Sequence, residues 1–204
     1  TPHILKDRAA SGRIELIEHP RNLGFCAAHN LAIERAYDVG ADAVLVLNPD
    51  VALTPNCLRE MLLAITAEHG ADPRVGAVTP KLLRCHEDLT PLDPPIVDAA
   101  GMWISPETRH FDRGSGEIDR GQFDEVSYVF GGTGAALLPS RRFIEDVAFR
   151  FANSGANSGP NSSAPNYSSL EVFDEAFFAY REDADLAWRA ALFGWKYRYV
   201  PQAV

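Results

Sequence analysis

Residues 41–55 read ADAVLVLNPDVALTP. Val44 to Leu47 is a continuous apolar run of strand length that stops on Asn48-Pro49-Asp50. A strand apolar on both sides is expected where helices cover both faces of a sheet. Thr54 and Pro55 then predict a helix start, with Thr54 as N-cap and Pro55 at the first helical position. The Asn-Pro-Asp step has two readings. It makes a turn, or it sets a carboxylate at the carboxyl end of a strand, the edge where open α/β sheets bind ligands. On the second reading Asp50 holds Mg²⁺ or Mn²⁺, hard ions satisfied by a few protein oxygens, and Asn48 offers an amide oxygen beside it.

Outward from this stretch the pattern alternates. Upstream, RIELIE (13–18) alternates like a short strand, and the residues before it offer barely a turn of helix. HPRNLGF follows as a loop with Gly24 as hinge. FCAAHNLAIERAY (25–37) predicts a helix with an apolar side, ended by Val39-Gly40. Downstream, VGAVT (75–79) predicts another strand. Strand, helix, strand, helix, strand in this order predicts a layered α/β fold with a mostly parallel sheet flanked by helices.

The second half is less regular. Residues 97–105 (VDAAGMWIS) predict a strand, and 109–125 a loop or short hairpin. YVFGGTGAALLP (128–139) is apolar, with Gly131, Gly132 and Gly134 marking a close backbone approach. Ser140 to Val147 predicts a short helix behind a capping serine. Residues 151–172, rich in Asn, Ser, Gly and Pro, predict a flexible loop, either a plain surface loop or a lid over an acceptor. The remainder predicts an aromatic stretch, a helix from Asp183 to Leu192 stopped at Gly194, and a strand from Lys196 to Val200.

The 204 residues suffice for one sizeable core, so a single domain over 1–204 is expected. Nineteen basic against twenty-eight acidic residues give a net charge of −9, which argues against a broad nucleic-acid surface. Cys26, Cys57 and Cys85 follow no disulfide or zinc spacing, which points to a reducing compartment. No run approaches the roughly 18 to 20 apolar residues of a membrane span.

Two further segments carry candidate chemistry. Asn22-Leu23-Gly24 opens a helix that also bears Asn30, and such an N-terminus suits a nucleotide or phosphate. Glu182-Asp183-Ala184-Asp185 opens another helix. Acids there favour the first turn of any helix, and Asp185 with Arg189 forms an ordinary pair four residues apart. Alternatively, a carboxylate crowded by Phe177, Phe178 and Tyr180 is desolvated and suited to act as a base. His29 reads as structural, and GGTG lacks the lysine of a phosphate-binding loop.

Five segments in order, NLGFCAAHN (22–30), ADAVLVLNPDV (41–51), VGAVTPKL (75–82), GGTGAALLPSRRFIEDV (131–147) and FDEAFFAYREDADLAWRAALFGWKYRYVP (173–201), resemble the inverting glycosyltransferases of family 2, in particular their rhamnosyltransferase-like branch. The resemblance implies the nucleotide-diphospho-sugar transferase fold of glycosyltransferase A type. It implies transfer of a sugar, with rhamnose as the branch-level donor, from a nucleoside-diphosphate sugar to a glycan or lipid-linked acceptor in cell-surface polysaccharide assembly. Inversion and dependence on Mg²⁺ or Mn²⁺ come with it.

By the same resemblance Asp50 and Asn48 stand at the metal motif, Asp183 at the base and Glu182 beside it. Asn22, Gly24, Asn30 and Arg189 fall on the donor-binding side, and GGTG with Arg141-Arg142 near the sugars. The implied setting is the cytoplasm, including peripheral association with the inner face of the membrane. The family's first strands have no counterpart before Thr1, so the domain is expected to be incomplete at its N-terminus. The alternative function is a non-catalytic or truncated glycan- or nucleotide-binding domain.

Overall fold

The computed structural model describes residues 2–66, 72–150 and 170–204. Its centre is a five-stranded sheet in the order β1-β8-β2-β11-β7, formed by β1 (Val46–Leu47), β2 (Val75–Pro80), β7 (Ser127–Val129), β8 (Ala136–Pro139) and β11 (Lys196–Val200). Three small antiparallel ribbons flank it. They are β3 (Leu82–Leu83) with β4 (Val97–Ala99), β5 (Met102–Ile104) with β6 (His110–Asp112), and β9 (Phe149–Arg150) with β10 (Leu170–Glu171). The helices are α1 (Pro2–Ala10), α2 (Gly24–Asp38), α3 (Cys57–Ile65), α4 (Arg141–Val147) and α5 (Glu182–Leu192).

Alternation along the central strands builds two cores, because successive strand residues face opposite sides. Ala77, Leu137 and Tyr197 pack with Ile33, Phe143 and Leu186 under α2, α4 and α5. Val78, Leu138 and Val200 face the other way and pack with Cys57 and Met61 of α3. Covering both faces explains why β2 and β8 are buried at every residue. Truncating Leu137 to alanine here removes about 2–5 kcal/mol.

The sheet is mixed, but mostly antiparallel rather than mostly parallel. Only β2 with β11 runs parallel; β1–β8, β8–β2 and β11–β7 are antiparallel. A run of buried apolar residues reports that both faces are covered and is silent on direction. Here β8 returns between β1 and β2, so a strand late in the chain separates the two early ones.

Other local expectations shift as well. RIELIE forms no strand, and Ile14 and Ile17 lie exposed. Alternation supplies an apolar face, but a strand also requires a partner, and RIELIE pairs with no described strand. The N-terminus forms the nine-residue helix α1 instead of barely a turn. Thr54 does not cap α3. Its N–H donates to Val204 O (2.9 Å) and its carbonyl accepts from Cys57 N (3.1 Å), so 54–57 close a turn and the helix begins at Cys57. The 97–105 strand breaks in two at Gly101, whose φ is +82°. Of the expected loop 151–172, residues 151–169 lie outside the described residues, while Leu170–Glu171 pair with β9.

The α4 and β11 spans stand where the sequence puts them, and α5 starts one residue early, at Glu182. Ser140 caps α4 by accepting from Phe143 N, and Gly194 ends α5 at φ +77°. Strand directions bring four features to one edge of the sheet: the end of β1 at Asn48, the end of β2 at Lys81, the start of β8, and the N-terminus of α5.

Candidate active site

Residues Gly134 and Ala135, just before β8, join the two carboxylate ends. Ala135 O accepts from Asn48 N (2.9 Å), and Gly134 N donates to Asp183 Oδ2 (3.2 Å). Asp183 Oδ1 accepts from Ala184 N (2.8 Å), so each oxygen takes one backbone N–H. A carboxylate has about four lone-pair sites, so one remains on each oxygen for a substrate hydroxyl. Asp183 is thereby held in one orientation while remaining partly accessible.

Its neighbour Glu182 is 6% exposed, and its Oε2 finds no partner among the described residues. Burial pushes this carboxyl above the usual range, and the charge of Asp183 adds to that. Cys26 feels the same pocket. Its thiol is raised to about 12 by burial and by Glu182, so it is inert.

On the other side Asp50 is exposed and makes no hydrogen bond or ion pair to a described residue. The turn is real as well: Val51 N donates to Asn48 O (3.3 Å). The bend leaves Asp50 and Asn48 on the wall of a groove of about 580 Å³, shared with Lys81, Arg84 and Asp98. A free carboxylate and an amide oxygen on an open groove fit a hard cation that keeps other ligands from substrate and water. They do not form a closed protein cage, and no cluster of three ligating side chains occurs among the described residues.

Lys81 and Asp112 were not read from the sequence. Lys81 is buried and donates to Asp119 (2.9 Å) and Asp124 (2.5 Å), fastening the 119–124 turn to the groove. Burial pulls its ammonium down, but the two carboxylates outweigh it and raise it. Asp112 lies on β6 opposite Met102, and its ribbon is stitched to the site by Met102 N donating to Gly131 O (2.8 Å). Burial pushes the Asp112 carboxyl up, and the charges of Asp183 and Asp98 push it further. Asp112 has the face of Met102 as its only sequence signal, legible once the hairpin register is known.

Several residues expected on the donor side spend hydrogen bonds within the protein. Asn30 is fully buried; its amide donates to Phe173 O (2.8 Å) and Glu175 Oε1 (3.1 Å), and its oxygen accepts from Val172 N and Phe173 N. Its hydrogen-bonding capacity is used. Arg189 is likewise engaged, with Asp185, Val147 O and Val172 O. Asn22 Oδ1 accepts from Gly24 N (2.9 Å), which orders the start of α2 and leaves the Asn22 amide NH₂ outward.

The glycines approach protein rather than ligand. A Cβ on Gly131 would stand 2.6 Å from Ala187 Cβ, and one on Gly132 2.7 Å from Thr79 Cβ. Arg141 and Arg142 lie at the opposite edge of the sheet. They pair with Glu145 and with Pro73 O and line a separate cavity of about 670 Å³, away from Asp183.

Residues 1–116, more than half of the chain, match the model of glycosyl transferase family 2. The chain therefore belongs to that family, whose members transfer sugars, generally with inversion, on the glycosyltransferase A fold, and commonly with a divalent metal. The match includes Asn48 and Asp50 but ends before Glu182 and Asp183. A comparison with curated proteins gives no match. No helix among the described residues is long and apolar enough to cross a membrane.

Proposed function

We propose that residues 1–204 are one inverting glycosyltransferase domain in which Asp183 is the general base and Asp50 with Asn48 holds the cation. The carrying observation is the Gly134–Ala135 step, which ties Asp183 to one residue and Asn48 to the next. That Asp183 and the Asn48 backbone flank one short, packed stretch supports reading them as parts of one site.

The acceptor hydroxyl gives its proton to a free lone pair of Asp183 as its oxygen attacks the anomeric carbon. The bond from that carbon to the diphosphate breaks on the far side, and the electron pair leaves with the diphosphate. Inversion follows from one displacement, and no protein nucleophile is required. Mg²⁺ or Mn²⁺ bound by Asp50 and Asn48 supplies neutralisation of the charge on the departing diphosphate. Glu182, the buried first residue of α5, stands beside the base and supports it. Asn22 and Gly24, at the start of α2, stand on the donor side. Rhamnose as the sugar, a glycan or lipid-linked acceptor of the cell surface, and work at the cytoplasmic face of the membrane complete the reading, on the resemblance of the five segments.

The test measures Mn²⁺-dependent binding of UDP, dTDP and GDP by thermal shift, and transfer from the matching sugar donors. Wild type is expected to bind one nucleotide with Mn²⁺, Asp50→Ala to lose that binding, and Asp183→Asn to keep binding while losing transfer. Equal binding by Asp50→Ala would refute the cation site. Nucleotide binding without transfer from any donor would favour the binding-domain alternative.

A further inference from the structure

The backbone just before the base is strained. Phe178, Tyr180 and Arg181 have φ of +61°, +71° and +75°, the left-handed region that bulky side chains avoid. Such conformations persist only where the surroundings over-determine them, and they gather at ligand clamps. The surroundings here are explicit. Phe178 O accepts from Cys26 N (3.3 Å), and the Phe178 ring lies so close to Gly24 that a Cβ there would meet it at 2.6 Å. Asp174 Oδ1 accepts from Ala176 N (2.8 Å), and Asn30 grips Val172 and Phe173. The segment is clamped at both ends into a costly shape.

That shape turns an aromatic side chain out to solvent. Tyr180 is 86% exposed only three residues before Asp183, and its hydroxyl has no partner among the described residues. Phe177 and Phe178 are partly exposed beside it. An exposed ring on a constrained backbone next to a carboxylate matches a pyranose, which offers a C–H face to the ring and hydroxyls to the acid. Asp174, Glu175, Glu182 and Asp183 surround the segment and the chain carries −9, which disfavours an anionic lipid surface.

We propose that Phe177–Arg181 is the acceptor platform of this transferase and that Tyr180 stacks on the sugar ring bearing the attacking hydroxyl. The proposal rests on Asp183 as base. It assigns the acceptor, as a carbohydrate recognised by stacking, to a segment clamped between the start of α2 and the start of α5. Tyr180 is a positioning residue: it presents the hydroxyl to the base and takes no proton.

The test is saturation-transfer NMR on the full chain with diamagnetic Mg²⁺ and the nucleotide that binds best. The probes are methyl α-rhamnoside, methyl β-galactoside and methyl N-acetyl-β-glucosaminide. At least one glycoside is expected to receive saturation from wild type and from Tyr180→Phe. Tyr180→Ala is expected to lower the signal roughly three- to tenfold, with Mn²⁺-dependent nucleotide binding retained. Tyr180→Gly, which relieves the left-handed strain, is expected to raise the Tm while losing the signal. Equal saturation of Tyr180→Ala, or none from wild type while the nucleotide still binds, would overturn the platform alone. Loss of nucleotide binding in wild type would instead strike the transferase reading. Binding to phosphatidylglycerol vesicles that disappears in Tyr180→Ala would replace the sugar platform with a membrane contact.

Discussion

The two acids at this site are treated in opposite ways. Asp183 is gripped by two backbone N–H groups, one from its own helix and one from Gly134. Asp50 is held by nothing among the described residues beyond the turn that carries it. A base must meet one hydroxyl at one angle, so orientation is worth fixing in advance. A cation ligand gains its geometry from the ion and the diphosphate, so a free carboxylate on an open groove suffices. On the roles proposed for them, fixed against free is a division of labour within one edge of the sheet.

The largest effect expected from breaking it is Asp183→Asn, with transfer down ~10³-fold and the Tm nearly unchanged, read by steady-state kinetics beside a melting curve. Asp50→Ala comes next, on the order of 10²-fold lower transfer. Because Asp50 has no partner among the described residues, the Tm of Asp50→Ala without metal is expected to match wild type, while the Mn²⁺-dependent rise is lost. A smaller effect follows from Gly134→Ala. The added Cβ would stand 3.0 Å from Phe25 Cζ and 3.7 Å from Glu182 Oε1, forcing the loop to give by a few tenths of an ångström. Transfer is expected to fall about tenfold through misplacement of the base, with nucleotide binding retained. Equal loss of both would show that the loop holds the whole site rather than the base.

The smallest effect is a pH slope. Glu182 is raised in the folded state from its ordinary 4.5, so folding favours its protonated form. Its contribution is fully present below that value and is lost as pH rises through the higher folded value. Glu182→Gln is expected to flatten the fall of Tm above pH 4.5 and to melt higher than wild type at neutral pH. An unchanged slope would show that Glu182 is not the titrating group.

The elements that stand out in the sequence are those with local causes. α4 has its serine cap, α5 its acidic first turn and glycine stop, and β11 its closing run, and all three are found with their expected spans within a residue. The i,i+4 pair of Asp185 and Arg189 is real for the same reason. What escaped depends on partners far along the chain. Sheet direction was hidden because β8 inserts between strands that precede it by dozens of residues. RIELIE had a pattern but no partner edge. Asn30 looked ligand-facing because its helix was expected to face a nucleotide, whereas its partners lie more than 140 positions away. Asp50 and Asp183 were legible as acids at element ends, but their contrasting restraint was not, since it depends on Gly134, Ala135 and the bend at Pro49.

The Asn30 clamp also bears on how the protein is made. α2 leaves the ribosome well before Val172 and Phe173, whose backbone groups fill its buried amide, and β2 waits for β11 as its parallel neighbour. Such contacts close large loops and form late. During synthesis α2 and β2 are therefore held without these partners until residues 172–173 and 196–200 have appeared, and a nascent chain arrested before residue 172 carries a cut-open core.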